Sequence, residues 1–372
     1  MATKVMASNR RNNPSSSVNL VVEQDQRAID PAFSARNRRR LILMSVLAVV
    51  VVITSVISVM VGQYDLPLRD LPAILAVGPA GAGELTESVV WQIRIPRVVL
   101  GLLVGAALGV GGALMQAVFA NPLAEPSVIG VTSGAGVGAA AAIVFGWNFL
   151  GSSTTPALAF FTGMITTGVV YGLSRFGGKI RVVNLILVGI AVNAVAGAAI
   201  SFLVFLAPTT SREEIVFWQM GTLNGAQWSH VSVVAVITAL GLVVALLLGR
   251  RLDVLSLGDR AASHVGVDVG KLRAVAIITA TLLTAAAVSY AGLIGFVGLI
   301  VPHIIRTVAG PSNHLIVPAS ALGGAVLIGL SDIAARSIIP FVDLPIGIFT
   351  ALVGGPVFFI LLRRMNSKGA RS

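Results

Sequence analysis

From residue 41 onward the chain alternates long apolar runs with short polar breaks. The run Leu41–Val61 is about 21 residues without a charge, which at about 1.5 Å per helical residue crosses a hydrocarbon core of about 30 Å. Nine more runs follow, at Val98–Phe119, Ser127–Phe145, Pro156–Ser174, Val182–Leu206, Ser229–Gly249, Ala274–Tyr290, Gly295–Ile305 with its flanks, Leu315–Leu330 and Leu344–Leu362. The pattern predicts an all-α polytopic membrane protein of about ten transmembrane helices, with both termini on the same side. As drawn, none of these runs contains Asp, Glu, Lys or Arg.

One break differs from the others. Residues 250–273 form a polar island between two long stretches without charge. Leu257, Ala261 and Val265 recur at spacing four and give a short helix one apolar face. Asp259, Arg260 and Ser263 fall off that face. Gly258 and Asp259 suit a helix start and Gly266 a stop. The segment is too short and too polar to cross a bilayer. It is either a solvated loop closing a helical hairpin or a docking surface for a cytoplasmic partner.

Composition agrees with the membrane reading: 56% of the 372 residues are hydrophobic and 11% charged, against about 25% charged in a soluble domain. The absence of cysteine excludes disulfides, thiolate metal sites and a cysteine nucleophile. The net charge of +11 fits cytoplasmic loops rich in Lys and Arg better than nucleic-acid binding. With the N-terminus inside, every Lys and Arg except Arg69, Arg94, Arg97, Arg212 and Arg336 falls on the cytoplasmic side, which predicts an N-in, C-in orientation. Residues 1–40 are polar and basic and read as a disordered cytoplasmic tail. Their apolar run starts too late for a signal peptide. Residues 41–364 form the transmembrane domain, and 365–372 a short cytoplasmic tail. Gly101, Gly105 and Gly109, like Gly130, Gly134 and Gly138, recur every fourth residue, a spacing that lets membrane helices approach closely.

Enzymatic chemistry finds little support. The chain has no phosphate-binding G-x-x-x-x-G-K-[ST], no H-E-x-x-H and no paired carboxylates. No cofactor or metal is expected. His230 and His303 lie near the ends of spans and read as interfacial. Uncharged spans argue against a proton pump, because ion-coupled carriers keep ionisable groups in the bilayer.

Four segments together carry a resemblance. They are Arg94-Ile-Pro-Arg97 followed by Gln116-Ala-Val-Phe-Ala-Asn121-Pro-Leu123-Ala-Glu125-Pro, then the 250–273 island, then Gly295-Phe-Val-Gly-Leu-Ile-Val-Pro302-His303-Ile-Ile-Arg306, and finally Leu344-Pro-Ile-Gly347 through Gly354-Gly355-Pro356. In this order they resemble the FecCD family, the permease subunits of binding-protein-dependent ABC importers for iron–siderophore complexes, haem and vitamin B12. The resemblance covers roughly Arg94 to Arg364. It implies a ten-helix permease in a bacterial cytoplasmic membrane, with no ATPase motif of its own. It also implies three partners: separate ABC ATPase subunits, an extracytoplasmic solute-binding protein, and a second permease subunit that is a copy or a paralogue. On this likeness Leu257, Gly258, Asp259, Arg260, Ala261 and Val265 form the coupling helix that docks on the ATPase. Arg94, Arg97 and Arg336 face carboxylates of the binding protein, and the Asn121–Leu123 turn contributes to the cytoplasmic gate. The implied cargo is an iron(III)–siderophore, with vitamin B12 or haem as alternatives. A secondary carrier would need coupling residues inside the bilayer. A non-transporting scaffold or sensor subunit would leave four motifs without a purpose.

Overall fold

The computed structural model describes residues 38–369 except 65, 80, 82, 177 and 178. Most of the basic tail, residues 1–37, lies outside the described residues, as do 370–372. Two compact units are distinguished, 1–45 and 46–372. In the first, the described residues 38–45 are helical; everything below concerns the second.

The first helix, α1 (Arg38–Met60), leads to a connection holding the short α2 (Leu71–Val77). Then α3 (Leu85–Ser88) passes through wide π-type turns at Val89–Arg94 into α4 (Ile95–Val118), so that helix runs unbroken from Leu85 to Val118. A 3-10 turn at Pro126–Ile129 precedes α5 (Val131–Val144), and α6 (Thr154–Leu173) follows. A two-residue antiparallel pair, Arg175–Phe176 with Lys179–Ile180, connects it to α7 (Val182–Leu206). Then come α8 (Thr209–Met220), α9 (Trp228–Leu255), α10 (Asp259–His264) and α11 (Val269–Ala291). The chain ends in α12 (Val297–Ala309), α13 (Asn313–Ser337) and α14 (Ile346–Gly369). Among the described residues, α1, α3–α4, α6, α7, α9, α11 and α13 are long and apolar enough to cross a membrane, and α5, α12 and α14 are shorter apolar helices. The predicted ten apolar segments are therefore all helices.

Their limits differ from the expectation. The second helix starts at Leu85 rather than Val98, and the ninth runs to Ser337 rather than Leu330. Both carry charged residues that interrupt the apolar run without breaking the helix: Arg94 and Arg97 in one, Asp332 and Arg336 in the other. The uncharged appearance of the spans thus reflected where the apolar runs stop. The last helix continues to Gly369, so residues 365–369, expected as tail, are helical. The helix α8 was not anticipated because Arg212, Glu213 and Glu214 break its pattern. It is held by Ile215, buried against Ala140, Ile143 and Leu203.

Helix α4 is the axis of the bundle and packs against α13, α11, α9 and α12. Its most apolar window is 78% buried and that of α11 72%, against 17% for α7, which lies at the rim. In lipid, close helix packing replaces the hydrophobic drive between helices, and it needs small residues at the contact. A Cβ on Gly105 would lie 2.2 Å from the Gly324 carbonyl oxygen, and one on Gly109 would lie 2.1 Å from that of Ser320. The α4–α13 seam is thus a backbone-to-backbone contact. Further along, Gly112 meets the backbone of Gly298 at the start of α12. The buried Gln116 donates through Nε2 to the Leu299 carbonyl at 2.9 Å. The turn leading into α12 has left-handed backbone at Gly292 (φ 71°) and Phe296 (φ 69°).

Overpacking a tight contact costs about 1–3 kcal/mol. Gly109→Ala should therefore lower the melting temperature of the purified protein clearly. Gly168→Ala, in α6 with no atom within 4 Å of the added carbon, should leave it unchanged or slightly raised. Equal melting of the two variants would remove the seam as a stabilising contact.

Candidate functional site

On the side where the basic loops gather, α10 starts at Asp259, after Gly258 (φ 104°), and closes before Gly266 (φ 84°). Both glycines sit in backbone that residues with a Cβ rarely adopt. Ala262 is fully buried against the bundle. The single helical face expected from Leu257, Ala261 and Val265 is not formed, because the helix covers only Asp259–His264; Leu257, before Gly258, is 75% exposed, Val265, just past the helix, 68%, and Ala261 is half-buried. Arg260 is exposed. Asp259 is already engaged, since Arg273 Nη1 and Nη2 donate to its two carboxylate oxygens at 2.8 Å each. Beside this pair lies a cleft of about 650 Å³ lined by Tyr171, Arg175, Ser263 and Lys271 among others.

The connection between α4 and α5 holds the expected gate residues. Asn121 Oδ1 accepts from the Leu123 amide at 2.9 Å, and the Asn121 amide donates to the Gln116 carbonyl at 3.2 Å. Ala120, with φ 47°, turns the chain out of α4. The turn is therefore locally stiff. Glu125 follows, with its carboxylate accepting from the Ser127 hydroxyl. It lines a chamber of about 150 Å³ shared with Leu108, Thr284 and Phe296. Burial pushes the Glu125 carboxyl above its ordinary range, and the Ser127 hydroxyl partly offsets the shift.

The arginines expected to face outward are turned into the protein. Arg94, Arg97 and Arg336 are only 5%, 7% and 8% exposed. Arg94 Nη1 donates to the Val59 and Met60 carbonyls at 2.8 and 2.9 Å, and Nη2 to the Tyr64 carbonyl. Arg336 donates to the Val61 carbonyl at 2.8 Å and to the Ser58 carbonyl and hydroxyl at 3.0 and 2.7 Å. The last carbonyls of a helix lack partners within it and carry partial negative charge; these two guanidinium groups satisfy them at the end of α1. Arg97 bridges the buried Asp332 and the more exposed Asp343, at 2.9 Å each, and Arg336 meets Asp332 at 3.1 Å. In the single chain these cations are held by the chain's own acceptors, which a partner's carboxylates would first have to displace. Arg69 and Arg212 are the other outer-side arginines. Arg69 is exposed beside Asp70, and Arg212 donates to the Ala207 carbonyl at 2.8 Å.

A second carboxylate escaped the sequence reading. Asp253, near the end of α9, accepts from the Ser312 hydroxyl at 3.0 Å and from the Asn313 amide, and so covers the positive N-terminal end of α13.

Two measurements follow. Removing one partner of a buried ion pair costs about 3–5 kcal/mol, so Arg97→Ala should strongly destabilise the purified protein, and Asp332→Asn in the same chain should recover part of the loss; a second change that only adds destabilisation would argue against the pair. For Glu125 the sign is set by the raised folded-state value. The unfolded chain ionises first, so stability falls as pH rises from the ordinary carboxylate range towards that value. Glu125→Gln should flatten this part of the melting-temperature profile, and an unchanged profile would mean that the carboxyl is not desolvated.

Comparison with known proteins places this geometry. Residues 49–364 match the FecCD transport family. The cobalamin import system permease BtuC of Halobacterium salinarum is 41% identical over 76% of this chain and 75% of its own length. The hemin transport system permease HmuU of Yersinia pestis is 35% identical over 80% of this chain and 94% of its own. A solved metal-chelate type ABC transporter in an inward-facing conformation superposes with a TM-score of 0.77 at 33% identity, over 86% of this chain and 98% of that one. With ten apolar helices among the described residues, a short exposed helix on the side where the basic loops gather and a sequence match from residue 49 to 364, this multi-pass cytoplasmic-membrane protein belongs to the FecCD transport family of ABC importer permeases.

Proposed function

We propose that the chain is the membrane path of an importer that brings a bulky metal chelate inward, driven by separate ATPase subunits and fed by a solute-binding protein on the outer face. The observation that carries this reading is α10. Exposed apolar side chains around a short polar helix are costly to leave in water, and Leu257 and Val265 at its two ends, with Ala261 between them, offer a partner a compact anchor. The ATPase is the partner that the family supplies. The Asn121–Leu123 turn, stiffened from within by the Asn121 side chain, is the inner gate. A second permease subunit completes the path.

The first cargo to test is an iron(III)–siderophore. Cobalamin is the second reading, favoured by the 41% identical relative. Both are large chelates for which a pathway without strongly attracting charges limits trapping.

The test is reconstitution into liposomes with and without the ATPase and binding protein, using labelled ferric siderophore, cobalamin and haem. Uptake should need both partners. Uptake by the chain alone would indicate a secondary carrier, and no uptake with all partners present would favour a scaffold. Uptake of cobalamin or haem but of no siderophore would replace the first cargo by the second reading or by haem. Ala261→Arg should insert normally, lose ATPase association and abolish uptake.

A further inference from the structure

The fork between Arg273 and Asp259 has a purpose beyond local satisfaction of charge. Helix α10 is suspended. The backbone at each end passes through a positive-φ glycine, Gly258 at 104° and Gly266 at 84°, and neither glycine has an atom within 4 Å of where a Cβ would sit. Ala262 is the only residue of the short helix that is buried. Beyond Ala262, no side chain of the helix is buried to hold its orientation. Against that background, both guanidinium Nη atoms of Arg273 grip both oxygens of Asp259. The arginine side chain is only 15% exposed although it lies at the cytoplasmic surface. Planar paired contacts of this kind fix orientation as well as distance.

The other end of the fork is rigid. Arg273 stands in the first turns of α11, whose start is fixed by Asp268 accepting from the Lys271 amide at 3.0 Å. Beyond Arg273, α11 runs into the centre of the bundle and packs on α4, α9 and α6. A rigid buried helix is thus joined to a hinged exposed one by a charged two-point contact.

We propose that Arg273 is the positioning residue of energy coupling: through Asp259 it turns displacement of α10 by the ATPase into displacement of α11. This rests on the reading of α10 as the ATPase contact and assigns Asp259 to the internal link rather than to the docking surface. The partner-facing groups are then Leu257, Arg260, Ala261 and Val265, and the fork lies behind them.

The test uses the full importer in liposomes. Arg273→Gln and Asp259→Asn should each retain ATPase association and hydrolysis, while chelate transported per ATP falls by about five-fold or more, the range of ordinary coupling free energies. Exchanging the two residues, Asp259→Arg with Arg273→Asp, should restore much of the ratio. Because the chain lacks cysteine, His264→Cys accepts a single spin label on α10. The label should be more mobile in the Arg273→Gln background than in the parent, which reads the link without transport. An unchanged transport ratio and unchanged label mobility in the single variants, with Ala261→Arg still losing the ATPase, would overturn the strut and leave docking intact. An Ala261→Arg chain that binds the ATPase and transports normally would overturn the docking reading and the strut with it. An exchange no better than the single variants would also overturn the strut.

Discussion

The contact on which the rest of the bundle depends is the seam where α4 and α13 touch backbone to backbone. Lipid tails are as apolar as leucine, so helices in a membrane gain little from hiding apolar side chains from one another. Dispersion at close range must supply the attraction, and it decays steeply with a small radial gap. Gly105, Gly109 and Gly324 remove that gap. Once the two axes are fixed, the polar contacts at either end of α4 come into register. Arg97 meets Asp332 across the same seam at the outer end, and Gln116 reaches α12 at the inner end. A guanidinium and a carboxylate buried at that depth are tolerable only because the seam holds them at hydrogen-bond distance.

Much of this was legible in the sequence for a specific reason. Apolar runs of about 20 residues are nearly unambiguous, so helix number survived. The start of α10 at Asp259 was also legible, because a glycine before an acidic residue is a local signal. Ends were harder. Arg94, Arg97, Asp332 and Arg336 read as boundaries because charge normally marks the interface, yet each has a partner that lets the helix continue. That partner lies 235 residues away for Arg97 and Asp332, and no local pattern reports it. The acceptors that these arginines find within the chain were equally out of view. The number, spacing and sidedness of the arginines were visible, but the direction of the side chains was not. The helix α8 was missed because Arg212, Glu213 and Glu214 interrupt its apolar pattern and its one buried residue, Ile215, is too little to restore it.

The ends of helices explain most of the remaining polar residues. The last carbonyls of α1 receive Arg94 and Arg336, and the first amides of α13 receive Asp253. Each puts the sign of charge that the helix end favours where the peptide groups lack partners. The polar content of this chain is low, and part of it closes such ends, whereas α8, with Val216 and Phe217 beside Glu213 and Glu214, and the α10 segment, with Leu257 and Val265 beside Arg260, offer apolar surface and charge together.

The turn from Gly292 to Phe296 has a consequence for what surrounds the molecule. Helix α12, with 13 residues, rises only about 20 Å, short of a hydrocarbon layer of about 30 Å. The chain entering it therefore runs as irregular backbone, with positive φ at Gly292 and Phe296 and with the Leu293 amide reaching the Trp218 carbonyl of α8 at 3.4 Å. Acyl chains offer such groups no hydrogen bond, so backbone of this kind persists only beside protein or water. Here protein supplies that surround: Gly292 and Ile294 are buried, and Gly292 lies against the Trp218 carbonyl and the Gly221 backbone, so neighbouring peptide groups rather than acyl chains face the turn.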